Sequence, residues 1–179
     1  MMSRFKVPTS DEVTPEAQVT FDGLKKISGK VPNLYATIGY SANALNSYLA
    51  FVQAQAKGTF HAKDREAIYL IVSELNGCEY CLAAHTVGAM KNGWTEDQTL
   101  LLRSGDMEEG SWPVLFKLIK SVIANKGEVE DKILDAYFAA GNTEKNLMDL
   151  MILINIMSFT NYVYRLIKVP IDYSPARKI

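Results

Sequence analysis

Hydrophobic residues along the chain recur at intervals of three and four, and polar start and stop signals separate the segments that carry this pattern. The segment that Ser41 can cap shows the interval in four apolar residues, Leu45, Tyr48, Leu49 and Val52. Such spacing places apolar side chains on one face of an α-helix. The sequence has no runs of alternating apolar and polar residues bounded by turn pairs, which would predict β-hairpins. The pattern therefore predicts an all-α fold.

The ends of the helices are predicted by their capping residues. Thr14 precedes a proline as an N-cap residue does, Thr95 begins a capping box, and Pro170 ends the last helix. Gly58 is predicted to end the third helix as a left-handed cap. The predicted segments run over about 14–29, 32–38, 41–58, 62–75, 78–93, 95 onward, 111–126, 128–140 and 143–168.

The length and the composition of the chain fit one globular unit. The sequence has 179 residues, of which 48% are hydrophobic and 22% charged, which is close to the globular average and argues against disorder. We predict a single all-helical domain over residues 1–179, with the helices of 111–168 in the same fold. The loop at 104–110 is the best candidate for a boundary between its two halves.

Charge and hydropathy restrict the partners. Lys and Arg number 19 against 20 for Asp and Glu, so the chain lacks the basic surplus that a nucleic-acid binder needs. The first residues contain no apolar core of the kind found in signal peptides. The most apolar stretch, 147–159, is shorter than the roughly 18 to 20 residues that span a bilayer. We expect a cytoplasmic protein that binds neither nucleic acid nor membrane.

Candidate chemistry is concentrated in one short motif. The only two cysteines are Cys78 and Cys81, too few and too close together for a secreted disulfide framework. Residues three apart on a helix have Cβ atoms about 5–6 Å apart, so the pair can form a disulfide with little backbone movement. They follow Gly77 at a predicted helix start, where backbone N–H groups favour thiolate over thiol. His85 lies one turn after Cys81, within reach of its sulfur. The motif predicts a reactive thiol, a resolving thiol and an acid/base group.

Three other interpretations of these residues were weighed. Free cysteines are often buried as small hydrophobes with no chemistry. Cys78, Cys81, His85 and His61 together have the composition of a zinc site, but Cys78 and His85 are about 10.5 Å apart along a continuous helix, and zinc ligands lie within about 2.3 Å of the metal. Thiol chemistry is therefore preferred over zinc. A thioredoxin-like fold is excluded because the predicted elements contain no βαβ unit.

The preceding helix supplies two candidate carboxylates, Glu66 and Glu74, and spacing alone does not choose between them. The motif as a whole resembles that of the AhpD-like alkylhydroperoxidases of the carboxymuconolactone decarboxylase superfamily. Their pattern is a glutamate, eleven residues, Cys-x-x-Cys, three residues and a histidine, which this chain matches at Glu66, Cys78, Cys81 and His85. The motif core covers 66–85. The flanking runs Asn33-Leu34-Tyr35 and Asn92-Gly93-Trp94 are similar to the peroxidase-related branch.

The resemblance implies an antioxidant peroxidase that reduces organic hydroperoxides without a cofactor or a metal. It implies that Cys81 is the peroxidatic thiolate, which becomes a sulfenic acid, and that Cys78 resolves it as a disulfide. His85 and Glu66 would form the proton relay, so the resemblance selects Glu66 over Glu74. Some family members have a second histidine between the cysteines, where this chain has Tyr80. We expect Tyr80 to be a packing residue.

The resemblance also implies partners: a hydroperoxide substrate, a lipoylated or thioredoxin-like dithiol protein as reductant, and assembly into trimers or hexamers. Three alternative functions remain. One is a thiol-disulfide oxidoreductase or redox sensor, and one is a lactone decarboxylase of the same superfamily, which would not need the two cysteines. The third is a structural oligomer with inert cysteines.

Overall fold

The helices begin and end close to where the start and stop signals predict them. The computed structural model describes residues 4–179, and within that range it contains α-helices and short 3-10 turns but no β-strand. The α-helices are α1 Pro15–Ser28, α2 Asn33–Ile38, α3 Ala42–Ala54, α4 Ala62–Leu75, α5 Glu79–Lys91, α6 Glu96–Ser104, α7 Trp112–Ala124, α8 Asp131–Ala139 and α9 Glu144–Ile167. The prediction of an all-α fold is confirmed.

Side-chain caps account for several of these boundaries. The hydroxyl of Ser41 accepts a hydrogen bond from Ala44 N–H at 3.2 Å, and that of Thr95 accepts one from Gln98 N–H at 3.1 Å. The prediction for Gly58 is wrong, because its φ is −75° and lies outside the left-handed region. Helix α3 instead tightens into the 3-10 turn Gln55–Lys57, which satisfies its last carbonyl groups without a left-handed residue.

Helix α4 is the centre of the fold. It packs against α5, α6, α7 and α9, and its residues 67–73 are all buried. Only a short connection through Asn76 and Gly77 separates it from α5, and Glu66 near its start meets His85 in α5. The two helices therefore run antiparallel, which places the motif of α5 against the buried face of α4.

Helix α9 agrees with the helix predicted over 143–168 and extends beyond the apolar 147–159 stretch at both ends. Among the described helices it is the one with the length and composition to cross a membrane, with 24 residues and a mean hydropathy of 1.4 over its most apolar window. The sequence estimate stopped at polar residues that the helix in fact includes. Half of that window is buried against the rest of the molecule, where α9 packs on α3, α4 and α5. A core helix passes the same test of length and composition.

Candidate active site

The structure brings together the four residues that the motif singled out. Cys78 is the N-cap residue of α5, and its sulfur accepts a hydrogen bond from Cys81 N–H at 3.3 Å. His85 lies one turn further along α5, and its Nδ1 is 2.8 Å from Oε2 of Glu66 in α4. Both cysteines are free thiols in this structure. A thiol pair and a histidine–carboxylate pair are thus assembled at the packed face of two antiparallel helices.

Helix packing decides between the two candidate carboxylates. Glu74 accepts a hydrogen bond from the buried Arg103 of α6, with Nε to Oε2 at 2.7 Å. That ion pair ties α4 to α6 on another side of the molecule, whereas Glu66 is paired with His85. Glu66, which only the family resemblance selected, is therefore the carboxylate that lies beside the histidine.

Gly88 permits this pairing, and sequence reasoning missed it. It lies in α5 one turn after His85, and a Cβ atom at this position would come within 2.5 Å of Glu66 Oε2 and 2.7 Å of its Cδ. A side chain there would occupy the space of the carboxylate. No motif distinguished Gly88 from the other glycines, because the requirement comes from a residue on a different helix.

We expect Gly88→Ala to push the Glu66 carboxylate away from His85 and so to lower the pKa of the histidine. The end of a glutamate side chain can move, so we expect little change in the free energy of unfolding. An NMR titration of the His85 ring measures the effect, with Gly23→Ala as the control. Among the described residues, no heavy atom outside the neighbouring residues and backbone of its own helix lies within 4 Å of a Cβ at Gly23. An unchanged His85 titration in Gly88→Ala would contradict this role.

A cavity of about 180 Å³ reaches the motif from the surface. Cys81, His85 and Glu66 line it, whereas the fully buried Cys78 does not. Much of the remaining wall is aromatic and consists of Tyr35, Tyr48, Tyr80 and Tyr173. A small molecule that enters the cavity therefore meets one of the two sulfur atoms, that of Cys81.

The two thiols differ in acidity. Burial raises the pKa of Cys78, and the hydrogen bond to Cys81 raises it further. Burial also opposes ionisation of Cys81, but hydrogen bonding with Cys78 and the positive charge of His85 outweigh it, so the pKa of Cys81 lies below that of an ordinary cysteine. Its position in the first turn of α5 acts in the same direction, because a helix N-terminus favours negative charge. The more acidic thiol is the one that lines the cavity.

The Glu66 carboxylate favours the protonated form of His85. Burial lowers the pKa of the imidazole, but the Glu66 carboxylate raises it through its charge and its hydrogen bond, and the net shift is upward. The ring also packs against Tyr69, with centroids 5.0 Å apart. The orientation and the charge of His85 are therefore both set by residues of α4.

Helix α9 contributes polar groups that the sequence analysis did not identify. Asn161, which is completely buried, donates a hydrogen bond to Ser73 Oγ at 3.2 Å and accepts one from Asn76 Nδ2 at 3.0 Å. It thereby fixes the segment that leads into Cys78. Hydrogen bonding with Asn161 and Thr160 also helps to lower the pKa of Cys81, after the larger effects given above.

Replacing Asn161 by alanine is expected to reduce the free energy of unfolding by about 2 kcal/mol, because buried groups of Ser73 and Asn76 lose their partner. Urea denaturation measures this effect. Asn155→Ala is the matched control on α9, since Asn155 is exposed and its amide bonds only within the helix, to Met151 O at 2.7 Å. We expect the control to change stability by less than about 0.5 kcal/mol. Equal losses in the two variants would argue against the buried network.

Tyr80, the residue between the two cysteines, is tied to distant segments. Its hydroxyl donates to Asp172 Oδ1 at 2.6 Å and accepts from Leu34 N–H at 3.2 Å. Its ring lies against those of Tyr164 and Tyr173. With its hydroxyl engaged on both sides, Tyr80 packs and forms part of the cavity wall, as the sequence analysis expected.

One residue of the zinc alternative, His61, is far from the other three. His61 is the N-cap residue of α4, and Cys78 follows the other end of that helix, so about 20 Å of helix length lies between them. Within residues 4–179, no three His, Cys, Asp or Glu side chains are grouped so that they could hold a metal ion.

Comparison with known proteins gives a match to one family model over part of the chain, and a fold. Residues 42–124 match the model of the carboxymuconolactone decarboxylase family. No curated protein matches the sequence significantly.

Solved structures with a similar fold cover nearly the whole chain. One is an uncharacterized peroxidase-related protein from Silicibacter sp. TM1040, with 20% identity, a TM-score of 0.79, and coverage of 97% of this chain and 91% of that one. Another is the alkylhydroperoxidase AhpD core of a peroxidase-related protein from Ralstonia eutropha JMP134, with 18% identity, a TM-score of 0.84, and coverage of 95% and 92%. A third is the debrominase Bmp8 in complex with 2,3,4-tribromopyrrole, with 15% identity, a TM-score of 0.77, and coverage of 95% and 90%. At these identities the similarity shows a shared fold.

Proposed function

We propose that this chain, whose residues 42–124 match the carboxymuconolactone decarboxylase family model and whose fold is AhpD-like, is a thiol-dependent peroxidase of that family that reduces organic hydroperoxides. The observation that carries the proposal is the asymmetry of the two thiols. The acidic thiol, Cys81, lines the cavity beside the His85–Glu66 pair, while the less acidic Cys78 is buried behind it. A peroxidase of this type needs one thiolate that substrate can reach and a second thiol close enough to close the disulfide.

The first step of the proposed reaction breaks the peroxide bond. The Cys81 thiolate attacks the terminal oxygen of ROOH, the S–O bond forms as the O–O bond breaks, and the product is a sulfenic acid. The leaving alkoxide takes a proton from His85 and departs as the alcohol ROH. Glu66 holds the imidazolium in place and stabilises its positive charge, since its carboxylate is 2.8 Å from Nδ1.

The second step closes the disulfide. The Cys78 sulfur attacks the sulfenic sulfur of Cys81, and hydroxide leaves and takes the Cys78 proton to form water. Cys78 already contacts Cys81, with Sγ 3.3 Å from the Cys81 nitrogen, so little movement is needed. The sum is ROOH plus two thiols giving ROH, water and one disulfide.

A dithiol must then reduce the disulfide by exchange. The partner proposed from the sequence is a lipoylated or thioredoxin-like protein. The narrow cavity favours a dithiol carried on a slender arm, such as a lipoyl group, because both sulfurs of this chain are buried. We also propose that the protein acts in the cytoplasm as a homo-oligomer.

A single-turnover experiment tests the proposed function. Reduced protein is mixed with cumene hydroperoxide without any reductant, and peroxide, alcohol and the mass of the protein are measured. We expect each chain to consume one equivalent of peroxide, to release one of alcohol, and to lose two hydrogen atoms as the disulfide forms. Consumption of peroxide without a disulfide, or no consumption at all, would contradict the proposal.

Reductive dehalogenation is a second candidate function, because the aromatic cavity is compatible with a small halogenated ring and one fold neighbour is a debrominase. In that reaction an aryl bromide and two thiols would give the bromide-free ring, a disulfide, bromide and a proton. Release of bromide from 2,3,4-tribromopyrrole by reduced protein would favour this candidate. A decarboxylase would use neither thiol. The different positions and acidities of Cys78 and Cys81 would then have no function, so this alternative is not preferred.

A further inference from the structure

The segment that follows α9 forms one edge of the cavity. Helix α9 ends at Ile167, the next residue, Lys168, turns the chain back with a φ of 55°, and the buried Val169 anchors the first part of the segment. Tyr173 then lies beside the cavity and contributes to its wall.

Side chains from two other parts of the molecule fix this segment. Asp172 accepts the hydroxyl of Tyr80 at 2.6 Å and pairs with Lys30 Nζ at 2.8 Å. Asn33 Nδ2 donates to Pro170 O at 3.0 Å. The Lys30 ammonium also lies 4.3 Å from the centre of the Tyr173 ring. Tyr173 is thus held against the cavity by α5 and by the region before and at the start of α2.

Burial separates the floor of the cavity from its rim. The floor consists of buried residues that include Cys81, Thr160 and Tyr48. The rim consists of the partly exposed lining residues, which are Tyr35, Tyr173, Ala84, Gly88 and the Glu66–His85 pair. A substrate whose reacting oxygen meets Cys81 therefore has the aromatic rings of Tyr35 and Tyr173 on part of the rim and the polar Glu66–His85 pair on another part.

The size of the cavity limits what fits there. An apolar cavity of about 150 Å³ is large enough for one benzene ring, and this cavity measures about 180 Å³. Its aromatic walls suit a ring, because aromatic pairs at centroid distances of about 4.5–7 Å attract beyond their buried area. The ring of Tyr173 already makes such an edge-to-face contact with Tyr80 at 5.6 Å.

We propose that the cavity selects hydroperoxides with a single aromatic ring over long linear ones, and that Tyr173 is the residue that determines this specificity. The inference rests on the proposed peroxidase function for its reaction, but the ring-binding site it describes can be tested without turnover. Tyr173 supplies one aromatic face of the site and narrows the rim through which a long chain would extend.

The kinetic test compares cumene hydroperoxide with a linear fatty-acid hydroperoxide. In Tyr173→Ala we expect the ratio of their kcat/KM values to fall about five- to tenfold, mainly through the KM of the ring substrate. Tyr173→Phe keeps the ring and should keep the ratio. Tyr80→Phe removes the hydroxyl that holds Asp172 and should lower the ratio in the same direction. An unchanged ratio in Tyr173→Ala would overturn the proposal.

The binding test uses 2-phenyl-2-propanol, which carries the ring but no peroxide, and 1-octanol as the linear probe. Calorimetry with the reduced protein should show tighter binding of the ring alcohol, weakened about five- to tenfold in Tyr173→Ala. Equal binding of the two alcohols overturns the inference, whatever the enzyme does with peroxides. Ring-selective binding by a protein that consumes no hydroperoxide overturns the proposed function and leaves the ring site intact.

Discussion

Replacing Cys81 by serine is expected to lower kcat/KM for organic hydroperoxides by at least about a thousandfold, because a serine hydroxyl at this position cannot supply the thiolate that breaks the O–O bond. Cys81 is the sulfur that lines the cavity, and its pKa lies below the ordinary cysteine value. A peroxide assay with an excess of dithiol measures the loss. No sulfenic acid should form in the variant.

Cys78→Ser is the matched control. This variant keeps the thiolate and loses only the resolving thiol, so we expect one turnover followed by accumulation of a sulfenic acid on Cys81. Trapping with dimedone and peptide mass mapping detect it. Full turnover in Cys81→Ser, or loss of the first step in Cys78→Ser, would contradict the assignment of the two roles.

Replacing Glu66 by glutamine is expected to lower kcat/KM about a hundredfold at neutral pH. The neutral amide cannot stabilise the imidazolium as the carboxylate does. Burial, which lowers the pKa of His85, is then no longer opposed by a negative charge, so this pKa falls. The positive charge beside Cys81 is then lost, and the pKa of Cys81 rises. Activity that requires the thiolate is lost as the pH falls through the pKa of Cys81. This loss forms the acid limb of the pH profile of kcat/KM, and we expect the limb to move to higher pH in the variant.

The pH dependence of kcat/KM measures this shift, and Glu74→Gln is its control. Glu74 lies on the same helix but is paired with Arg103, so its replacement should affect stability and leave the acid limb where it is. Equal shifts in the two variants would show that the Glu66–His85 contact does not control the thiol.

Features of the fold and of the site that depend on residues close together in the sequence could be predicted. Helix starts such as Ser41 and Thr95 depend on hydrogen bonds within three residues, and the structure confirms both caps. The Cys-x-x-Cys motif and His85 lie within two turns of a single helix, so their proximity also follows from local geometry. Gly58 shows the limit of such reasoning, since a 3-10 turn and a left-handed cap both satisfy the end of a helix.

The remaining parts of the site depend on packing between elements far apart in sequence. Spacing on α4 left Glu66 and Glu74 equivalent, and only the positions of α5 and α6 separate them. Asn161 accepts a hydrogen bond from the side-chain amide of Asn76, 85 residues away in the sequence. Asp172 accepts one from the hydroxyl of Tyr80, 92 residues away. No periodic pattern in the sequence encodes these contacts, since each one joins two elements that are separate in the sequence.

The unequal acidity of the two thiols is the central claim, and alkylation of the native reduced protein tests it most directly. The protein is treated with iodoacetamide over a range of pH, and peptide mass mapping gives the rate at each cysteine. We predict that Cys81 reacts first, with a pKa below that of an ordinary cysteine, and that Cys78 stays unmodified until the protein unfolds. Alkylation of Cys78 before Cys81, or no alkylation of either thiol until the protein is denatured, would contradict the proposed roles.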